Sequence, residues 1–381
     1  MRRALAAFAL LGLLCGGCSS SGGDESVADA RDTSALDLPA DVPVAGDADA
    51  LPADVPSVDA PPVVPEVQRP GPFGVGVRTL DLVDPTRPTP SSGEYPGAAT
   101  RTLTTEVWYP APAGTGTPEK PARDAAFEPA SEPQPLLVYL HGFMSSRNEN
   151  AHAAALLASR GFVVAAVDGP LTNLTAPDGA NPADVLNIPG DARFVADQVI
   201  AQGVAEAADG WRIDEDRLGI VGVSLGSLAA LLTAFRDEYR DPRLKIAAVV
   251  APPGCYLPEG FFDVHSMPVF VFHGTLDAVL PYQVHALPLF EAAPTPKWLV
   301  LAKDGTHAGI AGTAASLADH FENADLVSCH SLSNNENATG EKLAALAEQA
   351  GGGTVAEILE RCGRPCPGEG ELPPALGALR Q

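Results

Sequence analysis

A chain of 381 residues, 45 % of them hydrophobic, is long enough to bury a sizeable core. Its net charge of −24 argues against nucleic acid and against attraction to anionic lipid headgroups, because both need a basic face. Its six cysteines stand at positions 15, 18, 255, 329, 362 and 366.

Met1-Arg2-Arg3 followed by an apolar run from Ala4 to Leu14 has the form of a secretory signal, with a hydrophobic stretch too short to span a bilayer. Cys18 follows two glycines, as in the lipobox of exported bacterial lipoproteins, although Cys15 stands where that motif usually has leucine. The expectation is that residues 1–17 are removed and that Cys18 is lipidated, which ties the protein to a membrane through a lipid anchor. The location implied is the outer membrane, facing the periplasm or the cell surface. An ordinary signal peptide would give a secreted protein instead. Residues 18–70 are acidic and repeat Pro-Ala-Asp-Val-Pro pieces, a composition that buries no core and reads as a disordered linker. Residues 71–370 form the expected globular domain with a C-terminal helical extension, and 371–381 a tail.

Within the domain, Val75 to Asp81 and Thr102 to Trp108 alternate apolar and polar residues, as edge strands do. Leu136 to Leu140 is a continuous apolar strand that runs into His141-Gly142-Phe143. Ala151 to Ser159 is an alanine-rich helix, and Phe162 to Val167 another buried strand ending in Asp168. An irregular section from Leu171 to Gly190 precedes a helix over Asp191 to Ala201. Strands are expected again at Ile246 to Val250, Val269 to Phe272 and Lys297 to Ala302. Helical runs close the chain at Ala314 to Phe321, Glu341 to Gln349 and Val355 to Glu360. Alternating strands and helices imply a mostly parallel sheet with ligands beyond the carboxyl ends of its strands. Cys255, Cys329, Cys362 and Cys366 suit disulfides in an exported chain. A bond from Cys329 to Cys362 or Cys366 would clamp the tail, and the sequence does not choose between them.

The central motif is Gly222-Val223-Ser224-Leu225-Gly226, set between the apolar run Leu218 to Val223 and the helical spacing of Leu225, Leu228, Leu231 and Leu232. A strand that turns straight into a helix needs glycines where the two backbones pass. The serine is then left exposed in a strained turn, the geometry of a hydrolase nucleophile.

In chain order, His141-Gly142-Phe143, Gly222 to Gly226, His273-Gly274-x-x-Asp277 and Asp304-Gly305-Thr306-His307 resemble the α/β-hydrolase superfamily. Asp277 to Leu289 is similar to the segment around the acid of bacterial cutinases and polyester hydrolases. The stretches Phe143 to Asp168 and Asp191 to Ala201 are closer to the platelet-activating-factor acetylhydrolase and dienelactone-hydrolase-like group. The resemblance implies the α/β-hydrolase fold, a mostly parallel twisted sheet with helices on both faces. It also implies a serine esterase acting on small-molecule or lipid-like esters through Ser224, Asp277 and His307, in the order the fold requires. On this reading His307 acts as base near its reference pKa of about 6.5. The backbone N–H of Leu225, opening the helix, and that of Phe143, by resemblance, are the expected oxyanion donors.

Asp304 and Asp168 are weaker candidates for the acid, and His141, His265, His273 and His285 read as packing or surface residues. Phe143, Met144 and Leu225 are expected to line an apolar cleft, with residues 171–190 covering it. The polyester hydrolases carry an aromatic residue just after the strand that here ends in Ala251-Pro252-Pro253-Gly254, and Tyr256 is the nearest one. No cofactor or metal is called for. A peptidase or acyltransferase on the same fold, or a non-catalytic surface lipoprotein, are the alternative readings.

Overall fold

The computed structural model describes residues 69–128, 132–205, 211–310, 325–349, 351–363 and 366. The signal segment, Cys18, nearly all of the linker, the expected helix Ala314 to Phe321 and the 371–381 tail lie outside the described residues.

Nine strands form one sheet: β1 (Gly74–Asp84), β2 (Arg101–Ala111), β3 (Ala122–Arg123), β4 (Gln134–Leu140), β5 (Val163–Val167), β6 (Ile213–Val223), β7 (Leu244–Val250), β8 (Val269–Gly274) and β9 (Lys297–Ala302). Their order is β3-β1-β2-β5-β4-β6-β7-β8-β9. β2 pairs antiparallel with β1 and β5, and from β5 to β9 every pairing is parallel. The α/β-hydrolase fold is thus observed: a mostly parallel sheet carrying helices on both faces. Alternate residues of the central strands feed two cores. Leu136, Val138 and Leu140 pack with α2 (Ile188–Ala205) and α3 (Leu225–Phe235), while Leu137 and Tyr139 pack with α1 (Ala151–Ser159) on the opposite face.

β2 is an interior strand, contrary to the edge position its alternation suggested. Its charged positions, Arg101 and Glu106, are buried and paired rather than solvated, while Thr102 is exposed. Glu106 is 2 % exposed, takes a hydrogen bond from Thr79 at 2.8 Å and pairs with Arg123 at 2.7 Å. Arg101, with no exposed surface, grips Asp191 and Asp184 at 2.6 and 2.7 Å. Of the alternating polar residues Thr102, Thr104 and Glu106, the first is exposed and the last is buried and ion-paired, two environments that the sequence pattern cannot distinguish.

The Arg101 network also explains the section from Leu171 to Gly190. A 3₁₀ turn, Pro182–Leu186, carries Asp184, and α2 starts at Ile188, three residues earlier than expected. Pro189 is tolerated there because first-turn N–H groups have no intrahelical acceptor to lose. Replacing Arg101 by methionine would leave buried Asp184 without its cation and Asp191 with Arg87 alone, 2.8 Å away. The expected cost is about 3–5 kcal/mol, read as a lower urea midpoint; an unchanged midpoint would contradict it.

After β8 come α4 (Tyr282–Ala292) and β9, then α5 (His307–Ile310). The C-terminal extension contains α6 (Asp325–Ser333), α7 (Gly340–Gln349) and α8 (Val355–Cys362). Thr354 and Glu357 form a reciprocal capping box at the start of α8. Cys329 bonds Cys366, one of the two partners expected, and Cys255 bonds Cys362. The extension packs a small core of its own against Val279 and Leu280, the residues that follow Asp277.

Candidate active site

Ser224 is the residue between β6 and α3, with φ 51° and ψ −115°. A left-handed φ on a residue with a Cβ costs about 1–3 kcal/mol and persists only where its surroundings enforce it. They do so here through backbone packing. A Cβ on Gly222 would sit 2.1 Å from the Gly226 carbonyl oxygen, and one on Gly226 2.2 Å from that of Leu140. The Ser224 N–H donates to Val250 O at 2.8 Å, which ties the turn to the neighbouring strand. Buried Ser227 Oγ lies 2.7 Å from Gly222 O and 2.8 Å from Val250 O, bracing the turn from below.

The two other expected residues converge on this serine. His307, the first residue of α5, lies beyond β9, and Asp277 follows β8. His307 Nε2 is 3.0 Å from Ser224 Oγ, and His307 Nδ1 is 2.8 Å from Asp277 Oδ2. A carboxylate can only accept, so Nδ1 carries a proton, and in the neutral ring the Nε2 lone pair faces the hydroxyl. Asp277 is 5 % exposed, and its Oδ1 accepts the N–H groups of Val279 and Leu280 at 3.0 and 2.7 Å. Burial alone would raise its pKa, but the charge of His307 and hydrogen bonds from His273 and His307 hold it well below the usual carboxylate range. Burial disfavours a charged His307, yet the negative charge and hydrogen bond of Asp277, aided by Asp325 and Glu149, push its pKa up to about 9. That is well above the reference value assumed from the sequence.

Three residues were missed in the sequence. His273, fully buried, directs Nε2 at Asp277 Oδ2, 3.0 Å away, and at Leu280 O, 2.7 Å away. It is a second imidazole on the acid rather than a packing residue, and its place four residues before Asp277 was the available signal. Glu149, 4 % exposed, accepts from Tyr139 Oη at 2.6 Å and from the N–H of Gly142 at 3.1 Å, behind the loop that carries Phe143. Asp325, the first residue of α6, has no exposed surface. Its carboxylate accepts the N–H of Ala278 at 2.9 Å, of His307 at 3.0 Å and of Ala308 at 2.7 Å. One side chain from the extension thus ties the acid loop to the histidine loop. No local motif announces Glu149 or Asp325, since their partners are backbone groups or residues distant in sequence.

The rival candidates lie elsewhere. Asp304 is exposed, and Asp168 is engaged by Arg147, whose N–H reaches it at 2.6 Å. His141 accepts from Gly169 N at 3.0 Å through Nε2, so its Nδ1–H donates to Gly142 O at 2.7 Å and the ring braces the Phe143 loop. His265 pairs with Asp237, and His285 accepts from Cys255 N at 3.3 Å. Burial, reinforced by the charge of His273, lowers the pKa of His285 to about 4.

A cavity opens beside Ser224 and is lined by Phe143, Leu225 and Tyr256 among others. Met144 is not among its lining residues; its sulfur instead takes a contact from Asn335 Nδ2 at 3.8 Å. Pro182 and Val185 of the 3₁₀ turn form a wall that the Arg101 network holds in place. Leu225 is the first residue of α3, where N–H groups have no intrahelical acceptor and are available to an anion.

Residues 103–321 match the family model described as "PETase: PET hydrolase-like". A curated relative, the hydrolase LUC6 of Fusarium sp, is 32 % identical over 149 residues, which is 38 % of this chain and 32 % of the relative. The match therefore spans about a third of that relative's length. Among solved structures, a ferulic acid esterase from Streptomyces cinnamoneus is similar, with a TM-score of 0.47 and 25 % identity over 62 % of this chain and 75 % of that one.

Proposed function

The chain belongs to the PET hydrolase-like family, whose model covers more than half of it, and on that premise we propose that it is a serine carboxylic-ester hydrolase working through an acyl-enzyme. The observation that carries this reading is the hydrogen-bonded chain from Ser224 through His307 to Asp277, at 3.0 and 2.8 Å. Ser224 Oγ attacks the ester carbonyl carbon while His307 Nε2 takes the hydroxyl proton. The N–H groups of Phe143 and Leu225 hold the developing oxyanion. Collapse of the tetrahedral intermediate breaks the bond to the alcohol, which leaves with the proton from His307. A water then gives its proton to His307 and attacks the acyl-serine, releasing the acid and restoring the hydroxyl. Asp277 keeps the imidazole in the required tautomer and stabilises its charged form.

The disulfides support an oxidising, exported location. An anchor at Cys18 and small or lipid-like esters as substrates remain part of the proposal.

A fluorophosphonate probe tests the reading directly and is expected to label Ser224. Labelling elsewhere, or none, would remove it. Because only neutral His307 can accept the proton, and its pKa lies near 9, kcat/KM for p-nitrophenyl butyrate is expected to climb through neutrality toward pH 9. A plateau already reached by pH 7 would show that the surroundings of His307 do not raise it.

A further inference from the structure

The cavity beside Ser224 has a feature that the family match leaves out. That match ends at residue 321. Four residues lining the cavity lie beyond it: Leu332 on α6, and Leu343, Leu346 and Ala347 on α7. Leu228 and Leu232 of α3 line the same cavity. The extension therefore supplies a roof over the space into which the nucleophile opens.

The roof is fastened on several sides. Cys255–Cys362 bonds the extension to the turn just beyond β7, and Cys329–Cys366 closes it on itself. Arg361 donates to Cys255 O at 3.1 Å, next to that first bond. Asn335, just past α6, donates to Ala180 O at 3.1 Å and so joins the roof to the section that forms the neighbouring wall. Asp325 fixes the start of α6 to both catalytic loops.

The chemistry of the lining is uniform. Among the described residues no Asp, Glu, Lys, Arg or His lines the cavity; apart from Ser224 and Tyr256, those that do are aliphatic residues, proline and phenylalanine. Ser224, Leu225 and Phe143 all border it, so a chain on an ester at the serine can reach this space.

From this arrangement we infer that the C-terminal extension makes the site an apolar acyl pocket, selective for esters of a single uncharged aliphatic chain of medium length over an extended polyester strand. The inference rests on the proposed ester hydrolysis and narrows its substrate class. Each methylene moved from water into such a lining favours binding by nearly a factor of four, so selectivity should appear as a rising series that ends where the roof is met. A polymer strand must continue past the reacting ester in both directions, which a roofed pocket opposes.

The experiment compares kcat/KM for p-nitrophenyl acetate, octanoate and palmitate, for octyl acetate, and product release from an aliphatic polyester film. For the wild-type protein the octanoate-to-acetate ratio is expected to be about tenfold or more, with palmitate falling below octanoate. Leu346→Trp, which fills the space under α7, should lower the octanoate-to-acetate ratio about tenfold. Leu343→Ala with Leu346→Ala, which thins the roof, should raise the palmitate-to-octanoate ratio and film hydrolysis together. Because the two variants push in opposite directions, a general loss of folding cannot produce both shifts. A flat acyl series, or ratios that neither variant moves, would overturn the inference. So would chain-length dependence seen with octyl acetate but not with the acyl series, since the pocket would then hold the alcohol part. Failure of the parent reading is distinct: it shows as no turnover of any ester and no fluorophosphonate label on Ser224.

Discussion

Ser224→Ala is expected to lower kcat for soluble esters by a factor of about 10⁴ or more, leaving the fold intact. Among the described residues the Ser224 hydroxyl is the nucleophile within reach of His307 Nε2, whereas the turn that holds it depends on Gly222, Gly226 and Ser227. Asp277→Asn should cost a comparable factor, about 10⁴. An amide facing His307 can reverse the tautomer and leave Nε2 protonated, unable to accept from the serine. His273, donating to the same oxygen as His307, does not compensate, because it does not approach the hydroxyl. Asp304→Asn is the matched control, and its rate should stay within about twofold of wild type, because that carboxylate is exposed and outside the site. Steady-state kinetics on p-nitrophenyl butyrate reads all three. Substantial turnover by Ser224→Ala would end the mechanism, and a loss in Asp304→Asn equal to that in Asp277→Asn would reassign the acid.

The second large effect is expected at Asp325. Its carboxylate is the acceptor for three backbone N–H groups on two different catalytic loops. Removing it by Asp325→Ala leaves these donors without that acceptor, at about 1–3 kcal/mol for each one left buried. Stability should fall by several kcal/mol, visible as a lower urea midpoint. Asp325→Asn keeps the volume and some of the accepting capacity, so it separates folding from catalysis. It is expected to lower kcat about tenfold to a hundredfold with little change in KM, since misplacing the imidazole affects the reaction more than substrate binding. It should also move the acid limb of the pH–rate profile downward, because the Asp325 charge is one of those that raise the pKa of His307. An unshifted profile with a reduced rate would assign Asp325 a packing role alone.

The linkage of pH to stability follows from the same groups. His307, with its pKa raised in the folded state, contributes stability that is complete below about 6.5 and fades as pH rises through about 9. Asp277, with its pKa lowered, contributes above its unfolded value of about 3.9 and loses that contribution as pH falls. Around neutrality the ion pair therefore favours the folded state, while turnover still depends on the minority of neutral imidazole. Positioning this pair thus has a cost in rate that alkaline pH removes.

What could be read from the linear chain was whatever chemistry imposes locally. Glycine is required at 222 and 226 because two backbones pass there, continuous apolar runs are required of strands buried on both faces, and Asp277 and His307 follow strand ends where such a sheet exposes its loops. These constraints act over a few residues, so the elbow, the parallel sheet and the order of the three site residues were legible. Tertiary structure alone decided what depends on distant partners: the interior place of β2, the burial of Arg101 against Asp184 and Asp191, the pairing of Cys255 with Cys362, and the roof that α7 lays over the cavity. Asp325 is the clearest case, because its partners at 278, 307 and 308 are backbone N–H groups, which every residue but proline possesses and which leave no mark on the sequence.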